Sequence, residues 1–285
     1  MINGTVQNTV KHVLVYVLFH ILIQGDNKMA KIITIANQKG GVGKSTTVLS
    51  IADALSRCEY RVLVVDTDPQ CNSTRSYLAE TENQTTLYDL FNKSINLESD
   101  DPTELIQKTE MGDIVACDPS LSGIESSFTG NPSNFFILRN FLHKIEGNYD
   151  YIVIDTPPTL GFYMLSSLIA SNGIIIPISP AKYALDGLAL IYKTISDTKL
   201  NFNPNLEIYG VLLTMYDKRN ALDKKIWAQL PELGEELGFK VFPNPIRKCQ
   251  AIADVQAKTG GKLYTDYPNS NAAVDYATII KTLIQ

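Results

Sequence analysis

The chain has only four cysteines in 285 residues, and no two of them form a C-x-x-C pair. Cys58, Cys71, Cys117 and Cys249 are widely scattered. That pattern disfavours structural zinc, a thioredoxin-like motif and a secreted disulfide framework, and it fits a reducing cytoplasm. Net positive charge is also missing: the formal charge is -5, so any contact with nucleic acid must come from a local cluster. There is no internal repeat or low-complexity tract. Apolar residues make up 45% and charged residues 19%, a globular composition without the signature of disorder. A helix spanning a bilayer needs about 20 apolar residues, whereas "VLVYVLFHILI", Val13 to Ile23, runs for eleven. Three readings of that stretch compete: a signal or anchor, a packing helix, and an upstream extension ahead of a true start at Met29. The third is preferred, because no A-x-A-like cleavage site follows and the first core strand begins directly after Met29. The expected organisation is an extension over 1–28 and a single domain over 29–285.

From Lys31 onward the sequence repeats one pattern. "KIITIA" (Lys31 to Ala36), "RVLVVD" (Arg61 to Asp66), "YIVID" (Tyr151 to Asp155), "GIIIPI" (Gly173 to Ile178) and "IYGVLLT" (Ile208 to Thr214) are apolar, β-branched runs. Helical periodicity separates them, at Val48, Ile51, Ala52 and Leu55 and again near 161–171, 186–196 and 221–236. Near-continuous apolar strands alternating with helices predict an α/β fold of three layers, a mostly parallel twisted sheet flanked by helices on both faces. A last helix is expected over 272–284, apolar at Ala273, Tyr276, Ala277, Ile280 and Leu283; with one lysine it is a core-packing helix rather than a basic membrane-targeting one. The segment from Glu80 to Glu125 differs, with eleven acidic residues against two lysines. A solvated surface excursion is expected there in preference to an acidic docking site, with a short helix in "TTLYDLF" and a short strand in "DIVA", Asp113 to Ala116.

The stretch "IANQKGGVGKSTT", Ile35 to Thr47, carries the chemistry. Gly40, Gly41 and Gly43 remove side chains so that backbone N–H groups can curl around phosphate oxygens at a helix N-terminus. Lys44 then reaches the β- and γ-phosphates and the Ser45 hydroxyl is placed to ligate Mg²⁺. The phosphate-binding set is Gly40, Gly41, Val42, Gly43, Lys44, Ser45 and Thr46. An extra lysine, Lys39, stands at the mouth of the loop. A strand-end carboxylate is also required, and Asp155 is the best candidate, with Asp66 as its rival. Asp68, two residues past Asp66, could orient or deprotonate an attacking water. No N-K-x-D motif stands where guanine selection needs one, the nearest "NK" being Asn92-Lys93, which leans the base towards adenine.

"NQKGGVGKSTT", "VLVVDTDPQCNST" and "YDYIVIDTPP" closely resemble the deviant Walker A ATPases of the ParA/Soj partition family, within the wider group that includes MinD and the nitrogenase iron protein. The resemblance runs from Met29 to the C-terminus and fades between about Leu78 and Asn134. It implies that two protomers close face to face over two ATP molecules, with Lys39 crossing to the partner's phosphates. It further implies that Lys44 and Ser45 serve phosphate and magnesium, and that Asp68 serves hydrolysis. Asp155 would hold magnesium through water, with Asp66 a magnesium-side carboxylate or one acting behind it. Where relatives often read P-R-N-V-R-L-S-E-A, this chain has "PNPIRKCQA": Pro243 and Arg247 are retained, but Asn244 replaces an arginine and Gln250 a glutamate, so contacts on the adenine side, expected from Pro243 and Asn244, differ from the pattern.

Family members that move DNA bind it without sequence preference as ATP dimers. From Met215 to Lys262 there are nine Lys or Arg against six Asp or Glu. Lys218, Arg219, Lys224, Lys225, Arg247 and Lys248 are the candidates for phosphate contacts on double-stranded DNA. The implied partner is a centromere-binding adaptor of the ParB type, and the implied location the cytoplasm at the nucleoid, without stable membrane association. A MinD-like membrane-cycling ATPase is the main alternative. An iron-protein reading finds Cys117 but no second cysteine in the stretch directly after Asp155. No helix-turn-helix candidate precedes the loop, so operator-specific repression is not expected.

Overall fold

Each apolar run becomes a strand because both of its faces are covered. In the computed structural model, which describes residues 29–78, 84–92, 98, 100–128 and 130–284, the strands are β1 Lys31–Ile35, β2 Val62–Asp66, β3 Ile106–Thr109, β4 Gly112–Val115, β5 Tyr151–Asp155, β6 Gly173–Ile178 and β7 Glu207–Leu213. They form one sheet in the order β3-β4-β2-β5-β1-β6-β7, parallel throughout except for β3, which pairs antiparallel with β4 at the edge. The extension expected over 1–28 lies outside the described residues.

Period-two alternation sends Ile33, Ile35, Val64 and Val153 into one core and Ile32, Leu63, Val65, Ile152 and Ile154 into another. The helices are α1 Lys44–Arg57, α2 Asn72–Tyr77, α3 Leu87–Phe91, α4 Leu121–Phe128, α5 Ile137–Ile145, α6 Phe162–Ala170, α7 Ala184–Asn201, α8 Ala221–Leu237, α9 Gln250–Gln256, α10 Leu263–Asp266 and α11 Asn271–Ile284. Residues of α1, α10 and α11 fill the first core, those of α5 and α6 the second, and those of α7 and α8 a third beside β6 and β7. The last helix is core-packing, as its apolar spacing predicts: Ala273, Tyr276, Ala277, Ile280 and Leu283 are all buried. Among the described residues, no helix is long and apolar enough to cross a membrane.

The acidic segment is more than a surface excursion. Thr86 starts α3 through a reciprocal capping box with Asp89, and Leu87, Leu90 and Phe91 turn inward. Leu105 and Leu121 are fully buried, β3 and β4 widen the sheet, and Tyr163 of α6 donates its hydroxyl to Leu121 O at 2.6 Å. Its described carboxylates, on short helices (Asp89, Glu125), on β4 (Asp113) and on the turns between, surround an apolar set that includes Leu87, Leu90, Phe91, Leu105 and Leu121 of the second core. One of them, Glu125, accepts the Phe162 N–H at 2.8 Å and so caps α6, whose own Ncap is a glycine.

Candidate nucleotide-binding site

The registers of the central strands bring the chemistry to one edge. Ile35 pairs with Asp155, and Asp66 pairs with Asp155, so β1, β5 and β2 end level with one another. Two threonines lock that edge. Thr67 donates both its N–H (3.0 Å) and its hydroxyl (2.6 Å) to Asp155 O, and Thr156 donates its hydroxyl to Ile35 O at 2.8 Å.

The loop after β1 is built by short polar contacts. Asn37 is buried; its amide donates to Pro177 O at 2.7 Å and its side-chain oxygen accepts the Lys39 N–H at 2.9 Å. Gly41 and Gly43 take positive φ of 71° and 86°, the left-handed region that glycine enters without steric cost, and α1 begins at Lys44. The Lys44 ammonium donates to Lys39 O at 3.1 Å across the concave side of the loop. Burial lowers its pKa, while the charges of Asp155 and Asp68 act in the opposite direction. Lys39 is exposed to solvent.

Three carboxylates stand at or just beyond this strand edge and differ in how they are satisfied. Asp66 is fully buried: one oxygen accepts from the Thr74 N–H (2.8 Å) and hydroxyl (2.9 Å), the other from the Asp68 N–H at 3.1 Å. Both oxygens are thus engaged in holding the segment after β2. Asp155 is also fully buried, but only Oδ2 has a partner, the Ser73 hydroxyl at 2.7 Å; Oδ1 is buried with none among the described residues. Burial raises the pKa of both groups, and the Asp155 charge pushes Asp66 further in the same direction. The Ser45 and Ser73 hydroxyls and the Lys44 charge partly offset the rise at Asp155. Asp68 is buried as well; its carboxylate accepts the Gln70 N–H at 2.9 Å, and burial raises its pKa against the pull of Lys44.

An orphaned carboxylate oxygen beside a serine hydroxyl at the start of a helix is the donor chemistry that a hard divalent cation takes. Ser45 and Asp155 therefore fit Mg²⁺, whereas Asp66, with both oxygens already bonded, fits the part of holding the neighbouring segment. A cleft of about 610 Å³ opens over the loop, lined by Gly40, Gly41, Gly43, Lys44, Ser45, Thr46 and Asp68, with Gln256, Lys258 and Thr259 on another wall. The Gln256 amide donates to the Thr46 hydroxyl at 2.6 Å. Pro243 and Asn244, expected on the adenine side, are exposed and outside this lining. Bridges Val211–Val241 and Tyr216–Arg247 hold their segment alongside β7 instead.

Of the six cations singled out in the sequence, Lys218, Arg219, Lys224, Lys225 and Lys248 are exposed. The Lys248 N–H donates to Tyr216 O at 2.9 Å, which sets it beside the turn that carries Lys218 and Arg219. Arg219 pairs with Asp217 at 2.8 Å and, with Lys248, holds that carboxyl well below the usual range. Arg247 is different. Its guanidinium grips buried Asp275 of α11 at 2.6 Å and its own N–H donates to the same carboxylate at 2.9 Å, so its first task is to fasten the C-terminal helix.

Asn37, Thr67, Ser73 and Thr74, which hold the functional carboxylates and the loop in place, escaped the sequence reading. A small polar residue beside a motif residue is their only local signal.

A family profile described as an AAA domain matches residues 30–208. The chain is 36% identical over 228 residues to the chromosome partitioning protein ParA of Caulobacter vibrioides, covering 78% of this chain and 83% of that protein. It is 34% identical over 257 residues to the sporulation initiation inhibitor protein Soj of Bacillus subtilis, covering 86% and 99%. Among solved structures, cobyrinic acid a,c-diamide synthase from Mycobacterium smegmatis with bound ADP and magnesium superposes with a TM-score of 0.74 at 28% identity, covering 88% of this chain and 93% of that one. With matches of this extent to ParA and Soj, and a phosphate loop bearing the second lysine, the chain belongs to the ParA/Soj family of P-loop ATPases.

Proposed function

We propose that this protein is a magnesium-dependent ATPase that closes into a dimer over two ATP molecules, binds double-stranded DNA without regard to sequence, and segregates DNA together with a ParB-type centromere-binding adaptor. The observation that carries the reading is the solvent-exposed Lys39 beside a loop whose own lysine, Lys44, already lies over its concave side. A second point charge is useful only where polyphosphate charge is still uncompensated, and an exposed side chain is free to reach the phosphates of a facing copy. That makes closure of two copies depend on ATP.

Within one copy, the N–H groups of the glycine loop and the N-terminus of α1 bind phosphate oxygens, and Lys44 neutralises the terminal phosphates. Ser45 and the open Oδ1 of Asp155 would hold Mg²⁺, the latter through water; the cation supplies charge stabilisation to the phosphate oxygens. Asp66 holds Asp68 and Thr74 in place through its three accepted hydrogen bonds. Asp68 orients the attacking water and accepts its proton at the carboxylate, its raised pKa making it a better base than an ordinary aspartate. The absence of N-K-x-D favours adenine. Met215 and Gln256, which line the cleft, replace Pro243 and Asn244 as the base-side contacts in this reading.

Lys218, Arg219, Lys224, Lys225 and Lys248 supply the DNA contacts, doubled by dimerisation, which couples DNA affinity to ATP. The protein then acts in the cytoplasm at the nucleoid. The testing experiment is binding to two unrelated duplexes with ATP and Mg²⁺, with ADP and without nucleotide. Equal, ATP-dependent affinity for both duplexes is expected. Nucleotide-independent binding, or a strong preference for one duplex, contradicts the reading. Absence of DNA binding together with ATP-dependent sedimentation on liposomes would favour the membrane-cycling alternative.

A further inference from the structure

The threonine that follows β7 differs from the two that lock the central strands. Thr214 is buried, and its N–H donates to Ile178 O at 2.7 Å, which already joins the end of β7 to β6. Its hydroxyl is therefore not needed for that joint. Two carbonyls lie within its reach, Val42 O at 2.8 Å and Ile178 O at 3.0 Å, and the single hydroxyl proton can serve one fully. Ile178 O is already satisfied by the Thr214 N–H, whereas Val42 O accepts no backbone N–H among the described residues. The closer, unsatisfied carbonyl takes the proton.

Val42 is itself buried, and its carbonyl belongs to the same planar unit as the Gly43 N–H. No cis bond occurs among the described residues, so the two groups of this trans peptide point in opposite directions. Drawing Val42 O to Thr214 turns the Gly43 N–H away from that side chain, and Gly43 itself lines the cleft with Lys44. Gly43 accommodates the turn at φ 86°, and even a Cβ on it would stand 3.8 Å from the Thr214 side chain, so a hydrogen bond rather than steric pressure sets the peptide's orientation.

We propose that Thr214 is a positioning residue that aims the Gly43 N–H at the phosphate of a bound nucleotide. It touches no substrate and acts through one peptide plane, joining the end of β7 to the phosphate loop 172 residues earlier. The inference rests on the nucleotide reading of the cleft and goes beyond it by giving the loop a support outside its own motif.

The test is Thr214→Val, which keeps the volume, the β-branching and the N–H bond to Ile178 while removing the hydroxyl. Titration calorimetry with ADP and Mg²⁺ should show binding about tenfold weaker, the scale of one hydrogen bond to a charged group. Thr214→Ser, which restores the hydroxyl, should bind within about twofold of wild type by the same measure. The ¹⁵N–¹H resonance of Gly43, which should shift strongly when ADP is added to the wild type, should shift much less in Thr214→Val; a strand joint alone would not move it. If Thr214→Val does not fold, Thr214→Ala against Thr214→Ser gives the same comparison. Equal ADP affinity and an equal Gly43 shift with and without the hydroxyl would overturn the role of Thr214 and leave the cleft reading intact. A wild type that binds no ADP would remove both.

Discussion

Asp66 stands level with Asp155 across the ladder of two adjacent parallel strands, and neither carboxylate is exposed to solvent. Burial opposes the ionisation of both, and a like charge adds to it, that of Asp155 at Asp66 and that of Asp68 at Asp155, so each holds its proton above the usual carboxylate range. The chain lightens this cost with three N–H or O–H donors to Asp66, and at Asp155 with the bonded Ser73 hydroxyl, the Ser45 hydroxyl and the Lys44 charge nearby.

A pH dependence follows from that pair. A carboxyl whose folded pKa is raised holds a proton that the unfolded chain has released, so its contribution to stability is complete below about pH 4 and is lost as pH rises through the raised folded values. Asp66→Asn removes part of this contribution. The nucleotide-free variant is expected to be less stable than wild type at pH 5, because the amide that replaces the carboxyl has only one accepting oxygen, with a deficit that shrinks towards pH 8. Urea unfolding at both pH values measures it; a deficit independent of pH would show that the pair ionises normally.

Magnesium should matter to ATP binding through Asp155. Wild type is expected to bind ATP more tightly with Mg²⁺ than with EDTA, and Asp155→Asn to lose about 10- to 100-fold of metal affinity. Calorimetric titration of Mg²⁺ into the ATP-loaded protein reads this directly, and it should tighten as pH rises because the buried carboxylate must give up its proton. Undiminished Mg²⁺ affinity in Asp155→Asn would place the metal elsewhere.

Asp68→Ala should still dimerise on ATP yet release phosphate about 10²-fold more slowly, the scale of a missing general base. Single-turnover phosphate release at saturating ATP makes the comparison. Near wild-type turnover would assign the water to another group.

The basic cluster separates into two kinds of residue. Replacing Lys224 and Lys225 together by Ala should weaken binding to every duplex alike and lower the slope of log affinity against log salt by roughly 0.9 for each DNA phosphate no longer neutralised. Arg247→Ala should instead destabilise the fold by about 2 kcal/mol, between the values for exposed and buried ion pairs, because it strands buried Asp275. Salt titration and urea unfolding distinguish them; an unchanged slope for the double variant would remove this patch from the DNA surface.

The central strands were legible because burial on both faces writes them as unbroken runs, such as "YIVID" at Tyr151–Asp155. Strand β3, Ile106-Gln107-Lys108-Thr109, was not, since a half-exposed edge strand carries no such run. The acidic segment misled through its charge: Leu87, Phe91, Leu105 and Leu121 are buried but spaced among carboxylates. In the site, the phosphate loop and both strand-end aspartates were plain from the motifs. Their supports were not, because Ser73 meets Asp155 across 82 residues and Arg247 meets Asp275 across 28, pairings that only the fold creates. Pro243 and Asn244 stand outside the cleft's lining for the same reason, since pairing alongside β7 sets where their segment runs.

The central claim is that Lys39 makes assembly depend on ATP, and light scattering of wild type and Lys39→Ala with ATP and Mg²⁺, each against ADP, tests it most directly. Wild type is expected to double its mass with ATP and stay monomeric with ADP. Lys39→Ala should remain a monomer with both while keeping much of its affinity for ATP. A Lys39→Ala protein that dimerises on ATP as readily as wild type would contradict the account.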